Sequence, residues 1–489
     1  MTGFGRAAAL QRLAGEDFDL LVVGGGITGA GVALDAAARG LRVALVERSD
    51  YASGTSSRSS KLVHGGLRYL QQREYRLVYE NLSERQRLLD NAPHLVRPLP
   101  FLIPLFGKQG AVNTTVAKAY RTALWLYDAT GGVRIGKRHQ RITKEEALGH
   151  LPTLDADLLS AAFLYHDAQA DDARLTLTLV RTAVLDHGAV AANYSPVAEL
   201  VKEGRRVAGA RLADGTEILA SAVVNATGVW VDGLRCMAEG CDPGAIRPAK
   251  GVHVTVPRSL LPADVAAVLP VGGDRRSIFV VPWAERVYIG TTDTDYHGDL
   301  DDPQVSAEEI AYLLGAVNQF VTRKLTESDV VGTWAGLRPL VRNESSVRTA
   351  DLSRRHRVVV SPTGLVTITG GKLTTYRRMA EDTVDEVVKM LGRGLGRSPT
   401  GNLTLRGGEG FAEFRARAAA GLGLSPDQFS HLAGRYGTET RTVAAMVVNE
   451  PALGQPLVPG LPYLKAEALY AARYEMAHTL DDILSRRTR

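Results

Sequence analysis

A chain of 489 residues exceeds the roughly 250–300 that one hydrophobic core supports, so at least two domains are expected. Hydrophobic residues make up 45%, charged residues 23% and aromatic residues 6%, which excludes a disordered chain, and a net charge of +5 suits anionic partners without requiring one. Two cysteines, Cys236 and Cys241, are too few for a secreted disulfide scaffold and match no common zinc or redox spacing, so a reducing, cytoplasmic setting is expected.

Along the chain, Phe18 to Val23 reads as a short buried strand, apolar except for Asp19, and Ile27 to Arg39 as an Ala-rich helix. Between them "GGGITGAG" places Gly24, Gly26 and Gly29 in the G-x-G-x-x-G pattern. Gly24 allows the tight turn, Gly26 lets backbone approach a pyrophosphate, and Gly29 lets helix pack on strand. The helix N-terminus then offers N–H groups and a positive dipole end to phosphates. A second strand, "LRVALVE", ends in Glu47, where a carboxylate accepts hydrogen bonds from ribose hydroxyls. FAD and NAD share this fingerprint. The polar run "RSDYASGTSSRSSKLVHGGLRYL" (48–70) is rich in small residues that let backbone lie close to a flat, extended cofactor, whereas a nicotinamide enzyme moves straight into its next βα unit.

Further on, "YRLVYENLSERQRLLDNAPHLVRPLPF" starts with a charged helix that stops near Pro93. Residues 108–128 place Val116, Tyr120, Leu124 and Tyr127 on one helical face with Arg121 and Trp125 beside it. That pattern suits an interfacial helix and a core-packed one equally. "DDARLTLTLVRTAVLDHG" reads as a helix capped by Asp171 or Asp172 and ended by Gly188. Strands follow with Asp214-Gly215 as a hairpin turn, and "AVVNA" runs into Thr227-Gly228 as a second approach to the dinucleotide. "KGVHVTVP", "SIFVVPW" and "RVYIGTTD" alternate as an antiparallel sheet would, and from about 400 onward the chain is helical. No apolar run of about 18 residues and no signal-type segment is found, so no membrane-spanning helix is expected.

The segments "VVGGGITGAGVALDAAARGLRVALVE", "TSSRSSKLVHGGLRYL", "VNATGVWVD", "GTTDTDY", "AGLRPL" and "TGGKLTTYRRMAE" together resemble the FAD-dependent glycerol-3-phosphate dehydrogenases, a branch of the D-amino-acid-oxidase-like flavoproteins. The resemblance runs from about Asp19 to the terminal "RRTR". It implies an α/β fold with a discontinuous Rossmann-like FAD-binding domain (17–98, 165–244 and 345–398), an antiparallel-sheet substrate domain (99–164 and 245–344) and a small C-terminal helical domain (399–489). It also implies oxidation of sn-glycerol 3-phosphate to dihydroxyacetone phosphate by noncovalent FAD, with electrons passed to a membrane quinone.

The matched motifs imply cofactor contacts from Gly24, Gly26, Thr28, Gly29, Glu47, Thr55, Ser56, Ser60 and Lys61. They continue through His64, Gly65, Gly66, Val197, Ala226, Gly228, Gly371, Lys372, Leu373 and Thr374. Substrate contacts are implied for Arg68, Tyr69, His253, Arg338, Arg354 and Lys372, because an arginine fork suits a phosphate dianion. Histidine, with an ordinary pKa of about 6.5, is the natural base for the hydroxyl proton, and His253 occupies a family substrate position. His64, in the cofactor loop, suits a flavin contact better. After the strand "LVTIT", Gly370-Gly371 leads into a helix whose N-terminus, with Lys372, would stabilise negative charge near flavin N1 and the C2 carbonyl; Lys372 serves equally as a substrate contact.

His253, Arg338 and Lys372 are thus the expected catalytic group, and no metal site is expected. Expected partners are glycerol 3-phosphate, a membrane quinone and a lipid surface reached at the inner face of the cell membrane. The helix at 112–128 is the candidate anchor, with Tyr120, Leu124 and Trp125 dipping toward lipid and Lys118 and Arg121 near headgroups. A homodimer is compatible with the reading. Nucleic acid is not expected, since no stacking-aromatic motif or Lys/Arg block occurs. Alternatives are a glycerol-3-phosphate oxidase using O₂ and an amino-acid or 2-hydroxy-acid oxidoreductase of the same fold.

Overall fold

The computed structural model describes residues 3–71, 73–107, 114–240, 243–272, 276–342, 355–417 and 421–489. The Phe18–Val23 strand sits at the centre of a first sheet, parallel to Val43–Val46 on one side and to Glu217–Asn225 on the other. Val190–Ala192 extends the sheet beyond the former and Leu365–Thr369 beyond the latter, again in parallel. The chain therefore leaves and re-enters one sheet repeatedly, as a discontinuous dinucleotide fold must. All of Phe18–Val23 and Val43–Val46 is buried, which helices on both sheet faces require. The strand's one polar residue, Asp19, is satisfied by Arg42 N–H at 2.8 Å and by Arg393 at 2.7 Å.

The Ile27–Ala38 helix packs beside the Asp172–Leu185 and Tyr376–Met390 helices. Gly31 makes that approach feasible, since a Cβ there would lie 2.8 Å from the Tyr376 ring. Asp171 caps the Asp172–Leu185 helix by accepting from Arg174 N–H at 3.1 Å. Nearly the whole helix is buried, and its threonines survive there by bonding back: the Thr176, Thr178 and Thr182 hydroxyls donate to carbonyls four residues earlier at 2.7–2.8 Å.

A second sheet runs in the order Thr294–Asp295, Ile246–Pro257, Arg286–Gly290, Ser277–Trp283, Ala266–Pro270, Val96–Phe106, Leu159–Ala170 and Leu62–Val63, with Gly332–Val341 also paired to Ile246–Pro257. Its described pairs are antiparallel except Ala266–Pro270 against Val96–Phe106. Alternation along Ile246–Pro257 buries Val252, Val254 and Val256 against Leu313 and Val317 of the Ala307–Asn318 helix. The odd-numbered residues face the other way, Gly251 toward the Arg338 guanidinium and His253 toward Ser60 of the 55–61 loop. Val96–Phe106 and Leu159–Ala170 both lie within this sheet, so the expected domain limits at 98 and 165 cut through strands. Sheet membership, settled by pairing partners far away in sequence, places those strands whole.

The C-terminal helices, among them Pro426–Tyr436, Thr440–Asn449 and Lys465–Tyr474, bury small clusters of their own around Leu432, Val443 and Tyr470. Buried ion pairs, Arg174–Glu475 and Arg181–Glu439, tie them to the Asp172–Leu185 helix.

The Thr114–Ala129 helix corrects one expectation. Leu124 is 0% exposed and Tyr127 1%, packed with Val78, Leu82 and Phe101, and Tyr120 is partly buried against the same cluster. Leu124 therefore belongs to the protein core, because the apolar stripe of this helix meets the second sheet and the Tyr75–Asn91 helix before it can meet lipid. Trp125, 64% exposed, points outward with Lys118 and Arg121. Residues 112 and 113 of the proposed anchor lie outside the described residues. Among the described residues no helix is long and apolar enough to cross a membrane.

Candidate functional site

A cavity of about 420 Å³ opens at the carboxyl ends of the parallel strands, where Val23, Val46, Ala226 and Gly370 line it. Open α/β sheets bind ligands at this edge. Gly24 takes φ +113°, and a Cβ on it would stand 2.7 Å from the Ala226 carbonyl oxygen. Gly29 lies beneath the turn, where a Cβ would come within 1.9 Å of the Gly24 oxygen. Gly26 meets only Ser56 Oγ, at 3.1 Å, and so leaves its backbone open to the cavity. These are the three glycine functions that a pyrophosphate-binding turn needs.

Glu47, at the cavity wall, accepts from Gly25 N–H at 2.7 Å and Ser49 N–H at 2.9 Å. Burial pushes its carboxyl above the ordinary range, and the two N–H groups oppose that shift. Thr28, Val197, Gly228, Gly371, Lys372 and Leu373 also line the cavity. Thr55 and Ser56 line it too, with a second task each. The Thr55 hydroxyl donates to the Leu337 carbonyl at 2.6 Å, fastening the loop to the second sheet, and Ser56 Oγ accepts from Ile27 N–H at 2.8 Å at the helix N-terminus.

Other expected cofactor contacts make bonds of their own beside the cavity. Ser60 Oγ is 2.8 Å from His253 Nε2. Lys61, buried at φ +54°, pairs with Asp172 at 3.1 Å, its ammonium 5.1 Å from the Trp334 ring; burial, then Arg489, holds its pKa well below the usual lysine value. The Gly65 N–H donates to Tyr127 Oη at 2.9 Å and to Asp167 at 3.2 Å, and Asn81 donates to the Gly65 carbonyl at 2.9 Å. Asp167 is held in turn by Tyr127 and Arg85, both at 2.7 Å. Gly66, at φ +79°, lies against the Tyr69 ring. His64 donates its N–H to Thr374 Oγ1 at 3.2 Å, and desolvation lowers its ring pKa to about 4, with Asp167 opposing and Lys372 reinforcing.

The substrate candidates fall into two groups. Lys372 stands at the cavity wall with Nζ 3.9 Å from the Tyr69 ring centroid. His253 and Arg338 share one face of the second sheet, because His253 pairs across with Trp334 and Ala249 with Arg338. The His253 ring stacks on Trp334 with centroids 4.7 Å apart and lies over Gly290, where a Cβ would be 2.2 Å from it. Gly251 likewise admits the Arg338 guanidinium, which a Cβ there would approach to 2.4 Å. Asp293, Thr291 Oγ1 and the Thr292 carbonyl hold that guanidinium at 3.1–3.2 Å. Neighbouring Pro339 lines the cavity. The Arg68 side chain and all of Arg354 lie outside the described residues.

One electrostatic expectation changes. His253 is 2% exposed, and desolvation, followed by the charges of Arg338 and Lys61, holds its pKa well below 6.5. It is a neutral ring at physiological pH, with Nδ1 making no hydrogen bond among the described residues. Sequence reasoning missed the apolar wall of Trp230, Leu234, Met237 and Met379, and Arg48, whose guanidinium lies 4.3 Å from the Trp230 ring. Trp230 was inside a recognised motif, whereas nothing local distinguishes the two methionines from core residues. Together the parts offer backbone donors for an anionic, extended cofactor, a mixed apolar wall, and cations beside a buried neutral imidazole.

A family model described as FAD dependent oxidoreductase matches residues 19–377, and one described as the C-terminal domain of alpha-glycerophosphate oxidase matches residues 398–489. Glycerol-3-phosphate dehydrogenase 2 of Mycobacterium tuberculosis is 44% identical over 493 residues, covering 99% of this chain and 83% of the relative. The mitochondrial glycerol-3-phosphate dehydrogenase of Homo sapiens is 40% identical, covering 97% of this chain and 67% of the relative. Among solved structures, the glycerol-3-phosphate dehydrogenase of Bacillus halodurans complexed with FAD superposes with a TM-score of 0.80 at 34% identity, covering 100% of this chain and 89% of that one.

Proposed function

The chain belongs to the FAD-dependent glycerol-3-phosphate dehydrogenases, and from that premise we propose that it oxidises sn-glycerol 3-phosphate to dihydroxyacetone phosphate and delivers the electrons to a membrane quinone. FAD is the cofactor, and the site fits it: the glycine turn clears space for a pyrophosphate, Glu47 is fixed at the ribose position, and the apolar wall suits a flat ring system. Bound there without a covalent link, FAD would supply the acceptor for the carbinol hydride.

The chain's residues supply the remainder. Arg338 brings positive charge for the phosphate dianion, pre-positioned by Asp293 and Thr291. Lys372, at the wall, favours negative charge developing beside it during reduction. His253 takes the hydroxyl proton, its ring held by the Ser60 hydroxyl at Nε2. The observation that carries the substrate reading is Arg338 beside His253 on one sheet face, next to a strand residue that lines the cofactor cavity. Anaerobic addition of glycerol 3-phosphate should bleach the flavin, while glycine and 2-hydroxyglutarate leave it oxidised. Bleaching by either of the latter alone would transfer the protein to another substrate class.

Quinones are lipid-soluble, so we place the protein on the cytoplasmic face of the membrane, with the outward half of the Thr114–Ala129 helix, Trp125 flanked by Lys118 and Arg121, as the contact. The C-terminal match to an alpha-glycerophosphate oxidase model makes O₂ the rival acceptor. Oxygen uptake during turnover, compared with quinone reduction in liposomes, separates the two.

A further inference from the structure

We infer that Arg486 and Arg487, at the far end of the chain from the glycine turn, are positioning residues for the FAD site, acting through Asp50. The Asp50 carboxylate is fully buried and accepts from Arg486 Nε at 2.6 Å and from both Arg487 Nη atoms at 2.7 and 2.9 Å, with Asn193 adding a bond at 3.1 Å. Both arginines are themselves buried, and neither lines the cavity.

Asp50 belongs to the corner that shapes the phosphate and ribose end of the site. Glu47, three residues earlier, fixes Gly25 through its N–H, and Ala52, two residues later, donates its own N–H to the Gly25 carbonyl at 3.1 Å. The Tyr51 ring lies so close under Gly25 that a Cβ there would stand 2.8 Å from it, and its hydroxyl reaches Met476 sulfur at 3.6 Å. Ser53 donates to the Asp50 carbonyl at 3.1 Å and begins the run Ser53–Ser56 along the cavity wall. At the other end of that loop, Arg489 bonds the Ser57 carbonyl and Asp172. The C-terminal segment thus grips the cofactor loop at both ends.

A buried carboxylate that loses a partner is strongly destabilised and relaxes toward water. For Asp50 that relaxation would pull on the peptides that orient Glu47 and Gly25. Coupling of this kind is reciprocal, so FAD in the cavity must also tighten the C-terminal segment.

The test uses the full chain and FAD itself. Arg487→Met should weaken FAD binding by about 5–150-fold, read by flavin fluorescence titration, while the flavin-loaded fraction keeps its KM for glycerol 3-phosphate. Arg487→Lys should recover part of the loss. Arg181→Met, which breaks a buried ion pair with Glu439 remote from the cavity, is the structural control. Equal weakening by Arg181→Met at equal loss of apo-protein stability would overturn the inference. Should Arg487→Met not fold, hydrogen exchange on the wild-type chain decides: FAD should slow exchange at 50–53 and 475–487 together and leave 440–449 unchanged. Protection confined to the cavity wall, or spread evenly over all C-terminal helices, would overturn it.

Discussion

The cofactor wall and the substrate-facing side of the second sheet lie next to each other and are built on opposite plans. The part of the wall within residues 23–59 is largely backbone: a glycine turn, strand ends and a serine-rich loop, with side chains such as Glu47 and Ser56 bonded to main-chain N–H groups. The substrate side consists of side chains from distant strands, His253 and Arg338, brought together by register and given room by Gly251 and Gly290. A backbone-built site fails when a new atom fills the space its turn needs. One built from side chains fails one charge or one proton at a time. Damage to the first should remove the flavin, and damage to the second should leave a yellow protein that reacts slowly.

The largest effect should come from Gly29→Val. A Cβ 1.9 Å from the Gly24 oxygen cannot be absorbed without moving the turn, and the purified protein should be colourless. Retention of visible flavin absorbance would show the turn to be more pliable than drawn.

On the other side, His253→Asn should keep the colour and slow anaerobic flavin reduction by glycerol 3-phosphate by about 10²–10⁴-fold. Because the wild-type ring stays neutral well below pH 6.5, the wild-type reduction rate should stay level as pH falls through 6.5 and decline only at lower pH. An inflection near pH 6.5 that vanishes in the variant would mean that His253 is more solvated than its packing against Trp334 implies.

Arg338→Ala ranks next. A charge-assisted bond to phosphate is worth roughly 1.5–3 kcal/mol, so kcat/KM should fall with flavin content unchanged. Loss of flavin from this variant would mean that the two sides are not separable.

Stability against pH gives a smaller, graded test. His64 and His94 both have folded pKa values of about 4, below the ordinary 6.5 expected in the unfolded chain. The unfolded chain therefore binds protons first: stability is fully present above about pH 6.5 and is lost as pH falls toward about 4. Urea midpoints between pH 7 and 5 should fall, and replacing either histidine with Gln should flatten its share of the slope. A midpoint independent of pH would contradict the lowered pKa values of both rings.

The smallest effect is expected from Trp125→Glu on the exposed half of the Thr114–Ala129 helix. Liposome binding and quinone reduction should drop together while turnover with a soluble dye is kept. Undiminished vesicle binding would move the lipid contact elsewhere on the surface. A collapse of dye turnover would show that Trp125 supports the fold, as buried Leu124 beside it does.

The strand, glycine turn, helix and acid were legible in the sequence because each is a local demand on backbone: only glycine tolerates φ +113° at residue 24 and the 1.9 Å approach at residue 29, and both requirements repeat at fixed spacing. The family resemblance found the substrate residues as separate motifs. That His253 lies over Gly290, that Arg338 crosses Gly251, and that Ser60 meets the His253 ring depend on strand register and on how two sheets close over one loop. Hydrophobic spacing named the face of the 114–129 helix, but tertiary packing decided that Leu124 meets protein. The link from Arg487 to Asp50 was likewise beyond any local reading, because a buried charge shows its partner only when the chain brings the two together and excludes water from both.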